Sequence, residues 1–171
     1  MRRSPRYRAA QFLRGLRPAL QPDEARLVRQ LLSDSEFQLF AAMDPRDRRH
    51  SMDMVLWLQA RAPSSDDLLA AALLHDVGKG RLRDWERIAF VLLGAVRARA
   101  RERFARAQGG GLRGALWRLE HHARLGAALL RETGSRTAVV ALVERHSDVE
   151  AGAASPAEGD LARLREADAA C

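Results

Sequence analysis

This sequence predicts an all-α fold, and three observations predict it. Apolar residues recur at i, i+3, i+4 and i+7 in one segment after another, the period of a helix with one buried face. Helix starts and stops separate those segments, among them Asp44-Pro45, Pro63-Ser64-Ser65-Asp66-Asp67, Gly134 and Ser155-Pro156-Ala157-Glu158. No stretch alternates apolar and polar residues as a half-buried strand does. A chain of 171 residues can bury a sizeable core without disulfide or metal staples, so the expectation is a single-domain helical bundle of about seven helices.

Residues 1–21 are rich in arginine with a thread of Phe12, Leu13, Leu16 and Leu20, and read as a short amphipathic or partly disordered arm. Pro22-Asp23-Glu24 opens a helix that sets Leu27, Val28, Leu31 and Leu32 on one face; Ser33 or Ser35 restarts a second with Phe37, Leu39 and Phe40. Asp44 caps a longer helix to about Ala60, with Pro45 at its first position and His50, Met54, Trp57 and Leu58 on a common face. The hydroxyl and acids of Ser64-Ser65-Asp66-Asp67 start the next, whose apolar run from Leu68 to Leu74 should end near Gly78.

Asp84-Trp85-Glu86 begins a helix that is apolar to Val96 and basic afterwards; a core helix running out into solvent fits better than a membrane-surface or partner-binding helix. Gly109-Gly110-Gly111 reads as a flexible turn, since no strand precedes it and no Gly-Lys-Ser or Gly-Lys-Thr follows. From Leu112 a helix carries Leu116, Leu119, His122, Leu125, Gly126, Leu129 and Leu130 and stops at Gly134. Gly126, one turn past His122, would let another backbone or a ligand come close. Ser135 caps the following helix, in which Val139, Leu142, Val143 and His146 align. Residues 148–159 are a loop of small and acidic residues. Pro156 then opens a last helix on which Leu161, Leu164 and Asp168 fall at i, i+3 and i+7.

The net charge of +7 invites a nucleic-acid or anionic-membrane partner. Yet 28 of the 29 basic residues are arginine, spread over many helix faces, which looks like coding bias, and neither partner is favoured. The one lysine, Lys79, is the exception. The longest apolar run, Ile88 to Val96, is nine residues and contains Gly94, far short of the ~20 a membrane span needs. The basic N-terminus is not followed by an apolar stretch of signal length. The single cysteine is Cys171, which excludes a disulfide framework or cysteine-type zinc site and points to a reducing, cytoplasmic location.

The chemistry gathers at Leu73-Leu74-His75-Asp76-Val77-Gly78-Lys79-Gly80. An apolar helix ends there in an imidazole and a carboxylate, where unsatisfied carbonyls favour a cation. Neighbouring helical residues point about 100° apart, but at a fraying end both can face one partner. Such a nitrogen and oxygen donor set suits manganese, iron, zinc, nickel or cobalt better than calcium. His50 reads either as a hydrogen-bonded core histidine or as a further ligand. Asp168 is either an exposed terminal acid or a carboxylate that needs a partner. Lys79 either meets a phosphate or forms a salt bridge at the helix end.

Of five histidines, His50, His75, His122 and His146 fall on the inward faces of four separate helices, with His121 turned away. With Asp76 and Asp168 the chain order is His, His-Asp, His, His, Asp. The segments Arg48-Arg49-His50-Ser51, Leu74-His75-Asp76-Val77-Gly78-Lys79, His121-His122-Ala123-Arg124-Leu125-Gly126, Glu144-Arg145-His146-Ser147-Asp148 and Arg165-Glu166-Ala167-Asp168 resemble those of the HD-domain superfamily of metal-dependent phosphohydrolases. The likeness spans residues 44–170. It implies an HD-type domain over 44–171, preceded by a basic arm and accessory helices over 1–43.

As the resemblance implies, His50, His75, Asp76 and Asp168 would bind a first divalent ion. His122 and His146 resemble the ligands of a second ion in the subgroup where the aspartate bridges. With a single ion they would instead hold a substrate phosphate or deliver a proton. Asp76 and Lys79 would carry the chemistry, Lys79 as a contact to a small phosphorylated substrate such as a nucleotide. Bound metal would supply a water acidified from 15.7 toward about 7 and offset phosphoryl charge. Cyclic-dinucleotide phosphodiesterases of that subgroup carry a paired His-His followed by glycine, tyrosine and proline. Here the second position is Ser147 and no tyrosine follows, which speaks against cyclic di-GMP hydrolysis. The alternatives are an HD-fold sensor that binds metal and nucleotide without turnover, and a basic surface-binding protein whose histidines are structural.

Overall fold

The computed structural model describes residues 19–80, 111–147 and 156–171, among which there are seven α-helices and no strand. They are α1 (Pro22–Leu31), α2 (Asp34–Ala42), α3 (Pro45–Gln59), α4 (Asp66–Leu74), α5 (Leu112–Glu132), α6 (Thr137–Arg145) and α7 (Pro156–Ala170), with a 3₁₀ turn at Val77–Lys79 after α4. The all-α expectation holds. The arm up to residue 18, the helix expected from Asp84, Gly109-Gly110 and the loop residues 148–155 lie outside the described residues.

Local chemistry sets most boundaries. Ser33 Oγ accepts from the Glu36 N–H at 3.3 Å while the Glu36 carboxylate accepts from the Ser33 N–H at 2.8 Å, a reciprocal cap that starts α2. Asp44 accepts from the Arg46 N–H at 2.9 Å ahead of Pro45, and Ser65 from the Leu68 N–H at 3.2 Å. Gly134 adopts φ +72°, the left-handed conformation that ends α5.

Two boundaries differ from the sequence reading. The α4 helix stops at Leu74, not near Gly78, and His75 caps it while Asp76 (φ −98°, ψ 2°) leads into the 3₁₀ turn. The His75 ring takes over a carbonyl of the last turn, Nδ1–H donating to Ala72 O at 2.9 Å. Gly78 is needed for space instead: a Cβ there would lie 2.1 Å from His122 O and 2.5 Å from Gly126 N. Ser135 does not cap α6; Arg136 holds that position without a side-chain bond. The Ser135 hydroxyl donates across the bundle to the Glu36 carboxylate, and its N–H donates to Leu130 O at 2.9 Å, closing the α5 terminus.

The α4 helix is the axis of the bundle. Every residue from Leu68 to Leu74 is buried, so its sequence is apolar all round rather than on one stripe. Met54, Val55 and Leu58 of α3, Val139 and Val143 of α6 and Leu161 and Leu164 of α7 join it in one core. Each fully buried leucine there contributes about 1.5–3 kcal/mol by leaving water. Val28 of α1 and Phe40 of α2, with Leu32 and Met43 that cap those helices, belong to the same core. Arg49 fastens α1 to α3, donating to both carboxylate oxygens of Glu24 at 2.6 and 3.0 Å and to Asp53 at 3.1 Å. This clamp sits one residue before His50.

Replacing Gly78 with alanine should destabilise the fold by about 3 kcal/mol, the upper end for overpacking, because backbone and not a yielding side chain fills the space. Urea unfolding midpoints of the variant and wild type check this. Glu36 gives a pH dependence. Burial raises its carboxyl, but the bonds from Ser135 and Ser33 outweigh that and hold it below its ordinary 4.5. Below that value the unfolded chain binds more protons than the folded one, so stability is full above about pH 4.5 and falls as pH drops through the folded pKa. Glu36→Gln should flatten the acid limb of the melting temperature against pH.

Candidate metal centre

Five elements bring their ligand-type side chains to one place. His75 and Asp76 leave the C-terminus of α4, His146 caps the C-terminus of α6, His122 projects from the middle of α5, and His50 and Asp168 reach in from α3 and α7. The rings of His50 and His75, of His75 and His146, and of His122 and His146 meet edge to face with centroids 5.3, 5.2 and 5.0 Å apart. All six residues named from the sequence as metal ligands therefore converge, and Lys79 stands with them. His121 does not; it stacks on Trp117 at 4.8 Å on the outer side of α5.

Close approach of two backbones makes the convergence feasible. The 3₁₀ turn lies against α5 where Gly78 and Gly126 face each other. A Cβ on Gly126 would come within 3.3 Å of Gly78 N. The expectation that Gly126 admits another backbone is met by this turn, which sets Asp76 beside His122.

The hydrogen bonds fix which ring nitrogen faces inward. Nδ1–H donates to Ala72 O in His75 (2.9 Å), to Leu119 O in His122 (2.9 Å) and to Val143 O in His146 (2.7 Å). A carbonyl oxygen only accepts, so each Nδ1 carries a proton; the neutral rings of His122 and His146 then turn an Nε2 lone pair to the centre, and the Nε2 of His75 offers either a lone pair or, on the charged ring, a proton to Asp76. His122 Nε2 then faces His146 Nε2 at 3.1 Å, lone pair against lone pair. Asp76 Oδ1 lies 3.3 Å from His75 Nε2 and 3.5 Å from His122 Nε2. Among the described residues, His75 Nε2 and Asp76 Oδ1 are buried with no hydrogen-bond partner. A divalent cation satisfies such a set of inward-facing nitrogen and oxygen atoms.

The spacing suits a transition metal. Two ligand atoms each about 2.1 Å from one ion stand about 3.0–3.4 Å apart at 90–109°. Ligand atoms of His50, His75 and Asp76, and separately of Asp76, His122 and His146, fall within 4.8 Å of one another, so Asp76 belongs to two groups. Asp168 Oδ1 lies 3.0 Å from His50 Nε2 and 3.9 Å from His75 Nε2, at the rim of the first group. Its side chain is 44% exposed, so it is both the exposed acid and the paired carboxylate that the sequence left as alternatives.

Electrostatics fit the same picture. Burial, with repulsion from His75, pushes the His146 imidazole down to about 4 and burial lowers His122, keeping both neutral at pH 7. Burial works against charge on His75 and Asp76 too, yet their mutual attraction and Lys79 beside Asp76 hold the carboxyl well below its usual range while the imidazole is raised. Burial raises Asp168, but the His50 bond and the His75 charge outweigh it and leave it at about 2. Lys79 Nζ donates to Asp76 Oδ2 at 2.5 Å, leaving Oδ1 for the cluster. The carbonyls that orient the rings had no sequence signal, because any residue supplies one.

The HD domain family model matches residues 48–170. No curated protein and no solved structure matches the chain.

Purified protein should carry a divalent transition metal, and His75→Ala or Asp76→Ala should lose it by elemental analysis. At 1,000 times its dissociation constant an ion stabilises by about 4.1 kcal/mol. Complete chelation should then lower the melting temperature by about 8–16 °C for a domain of this size. An unchanged melting curve on full metal removal contradicts the assignment.

Proposed function

The chain belongs to the HD-domain family, and from that premise we propose that it is a metal-dependent phosphohydrolase that holds two divalent ions about Asp76 and acts on a nucleotide or related phosphate ester. One observation carries this reading: His75 Nε2, Asp76 Oδ1, His122 Nε2 and His146 Nε2 converge with neighbours 3.1–3.5 Å apart, and the buried His75 Nε2 and Asp76 Oδ1 have no hydrogen-bond partner among the described residues. Bound divalent ions supply Lewis acidity toward a phosphoryl oxygen and acidify water.

The chain's own residues set up that chemistry. His50, His75, Asp76 and Asp168 would hold the first ion, and Asp76, His122 and His146 the second. The carbonyls of Ala72, Leu119 and Val143 hold an Nδ1 proton of each ring, so that Nε2 is the nitrogen turned inward. Lys79 compensates the second oxygen of Asp76, keeping the carboxylate ionised and turned with Oδ1 inward. Of its two sequence readings this favours the ion pair, with Lys79 acting on substrate through Asp76. His50 and Asp168, whose side chains are 26% and 44% exposed, line the open side where a phosphate enters. Ser147, in place of a second histidine, directs the reading toward phosphate esters other than cyclic di-GMP.

The test is turnover with manganese over a panel of nucleoside mono-, di- and triphosphates and cyclic dinucleotides. Release of phosphate or of linear product should exceed the Asp76→Ala background for at least one class. Metal retained without any such release makes the chain a binding module.

A further inference from the structure

We propose that Arg165 is a positioning residue that ties the two metal subsites together, holding His146 in place for the second ion from the helix that supplies Asp168 to the first. The inference rests on the two-ion reading above.

The α6 helix ends at Arg145, so its last carbonyls have no partner within the helix. Arg165 takes two of them: Nε donates to His146 O at 3.1 Å and Nη2 to Arg145 O at 2.7 Å. One planar guanidinium thus closes two successive carbonyls at the negative end of a helix dipole, a geometry a point-charge ammonium does not reproduce. The His146 ring hangs from the same backbone. Its Nδ1–H is hooked to Val143 O at 2.7 Å, and its Nε2 stands 3.1 Å from His122 Nε2. A ligand at the last turn of a helix moves when that turn frays, and the Arg165 fork adds to the core packing of Val143 and Leu164 a hydrogen-bonded tie between that turn and α7.

Arg165 also sits one turn before Asp168. The α7 helix has other anchors: Leu161, Leu164 and Ala167 are buried, and Arg163 donates to Ala62 O at 3.3 Å, Pro63 O at 3.1 Å and Ser64 Oγ at 2.6 Å. Loss of the Arg165 fork therefore leaves Asp168 where it is and frees His146. The first ion should be retained and the second weakened. Charge alone predicts the reverse, since removing a cation from the neighbourhood strengthens binding of any other cation.

The experiment titrates manganese into metal-free full-length wild type, Arg165→Met and Arg165→Lys, following stoichiometry by calorimetry and the paramagnetic resonance signal of the ions. Wild type should take two ions per chain with a spin-coupled signal. The methionine variant should keep one ion at wild-type affinity and bind the second about 10–100-fold more weakly, the usual loss when a ligand's supporting partner is removed, with a mononuclear signal. The lysine variant, which keeps the charge and one donor bond, should fall between and decides the matter if the methionine variant fails to fold. Two ions at unchanged affinity in the folded variants overturn the role of Arg165 alone. A single ion in wild type overturns the two-ion reading, and this inference with it.

Discussion

Everything in this bundle answers to one constraint: acceptors are buried at its centre without donors. A desolvated carboxylate oxygen facing imidazole lone pairs is costly in any protein interior, and protein groups here do not relieve it. Proton or metal, a cation is what makes the arrangement stable. The rest of the site keeps the lone pairs pointed there, through carbonyl-anchored Nδ1 protons and an ammonium on the far oxygen of Asp76.

The helices add to this by where they end. Both α4 and α6 stop at the cluster, bringing the partial negative charge of their C-terminal carbonyls toward the same point. His75 and His146 each use a ring to take a carbonyl of their own last turn, so one side chain closes the helix and faces the centre. An all-apolar α4 is the counterpart of this arrangement. It must be buried on every side to carry His75 and Asp76 into the interior, and the first two helices and their ends complete that burial through Val28, Leu32 and Phe40.

Where sequence expectation and structure part, a tertiary contact won. The α4 helix ends one turn early because the chain after it must flatten against α5, and Gly78 serves that approach rather than a left-handed stop. Ser135 looked like a cap from its neighbours, but its hydroxyl satisfies Glu36, almost a hundred residues away in sequence. Neither outcome has a local signal.

The likeness of its histidine and aspartate order to the HD superfamily implied which six side chains gather, while periodicity and caps determined by themselves that the chain is all-α and where most helices begin. Those properties follow from backbone propensity and face-to-face burial, which act over a few residues. The tertiary structure alone decided that Asp76 belongs to two groups, that Lys79 is committed to its second oxygen, which histidine nitrogen faces inward, and that Arg165 grips the end of α6. Each of those depends on the distance between helices far apart in sequence, and only packing fixes that distance.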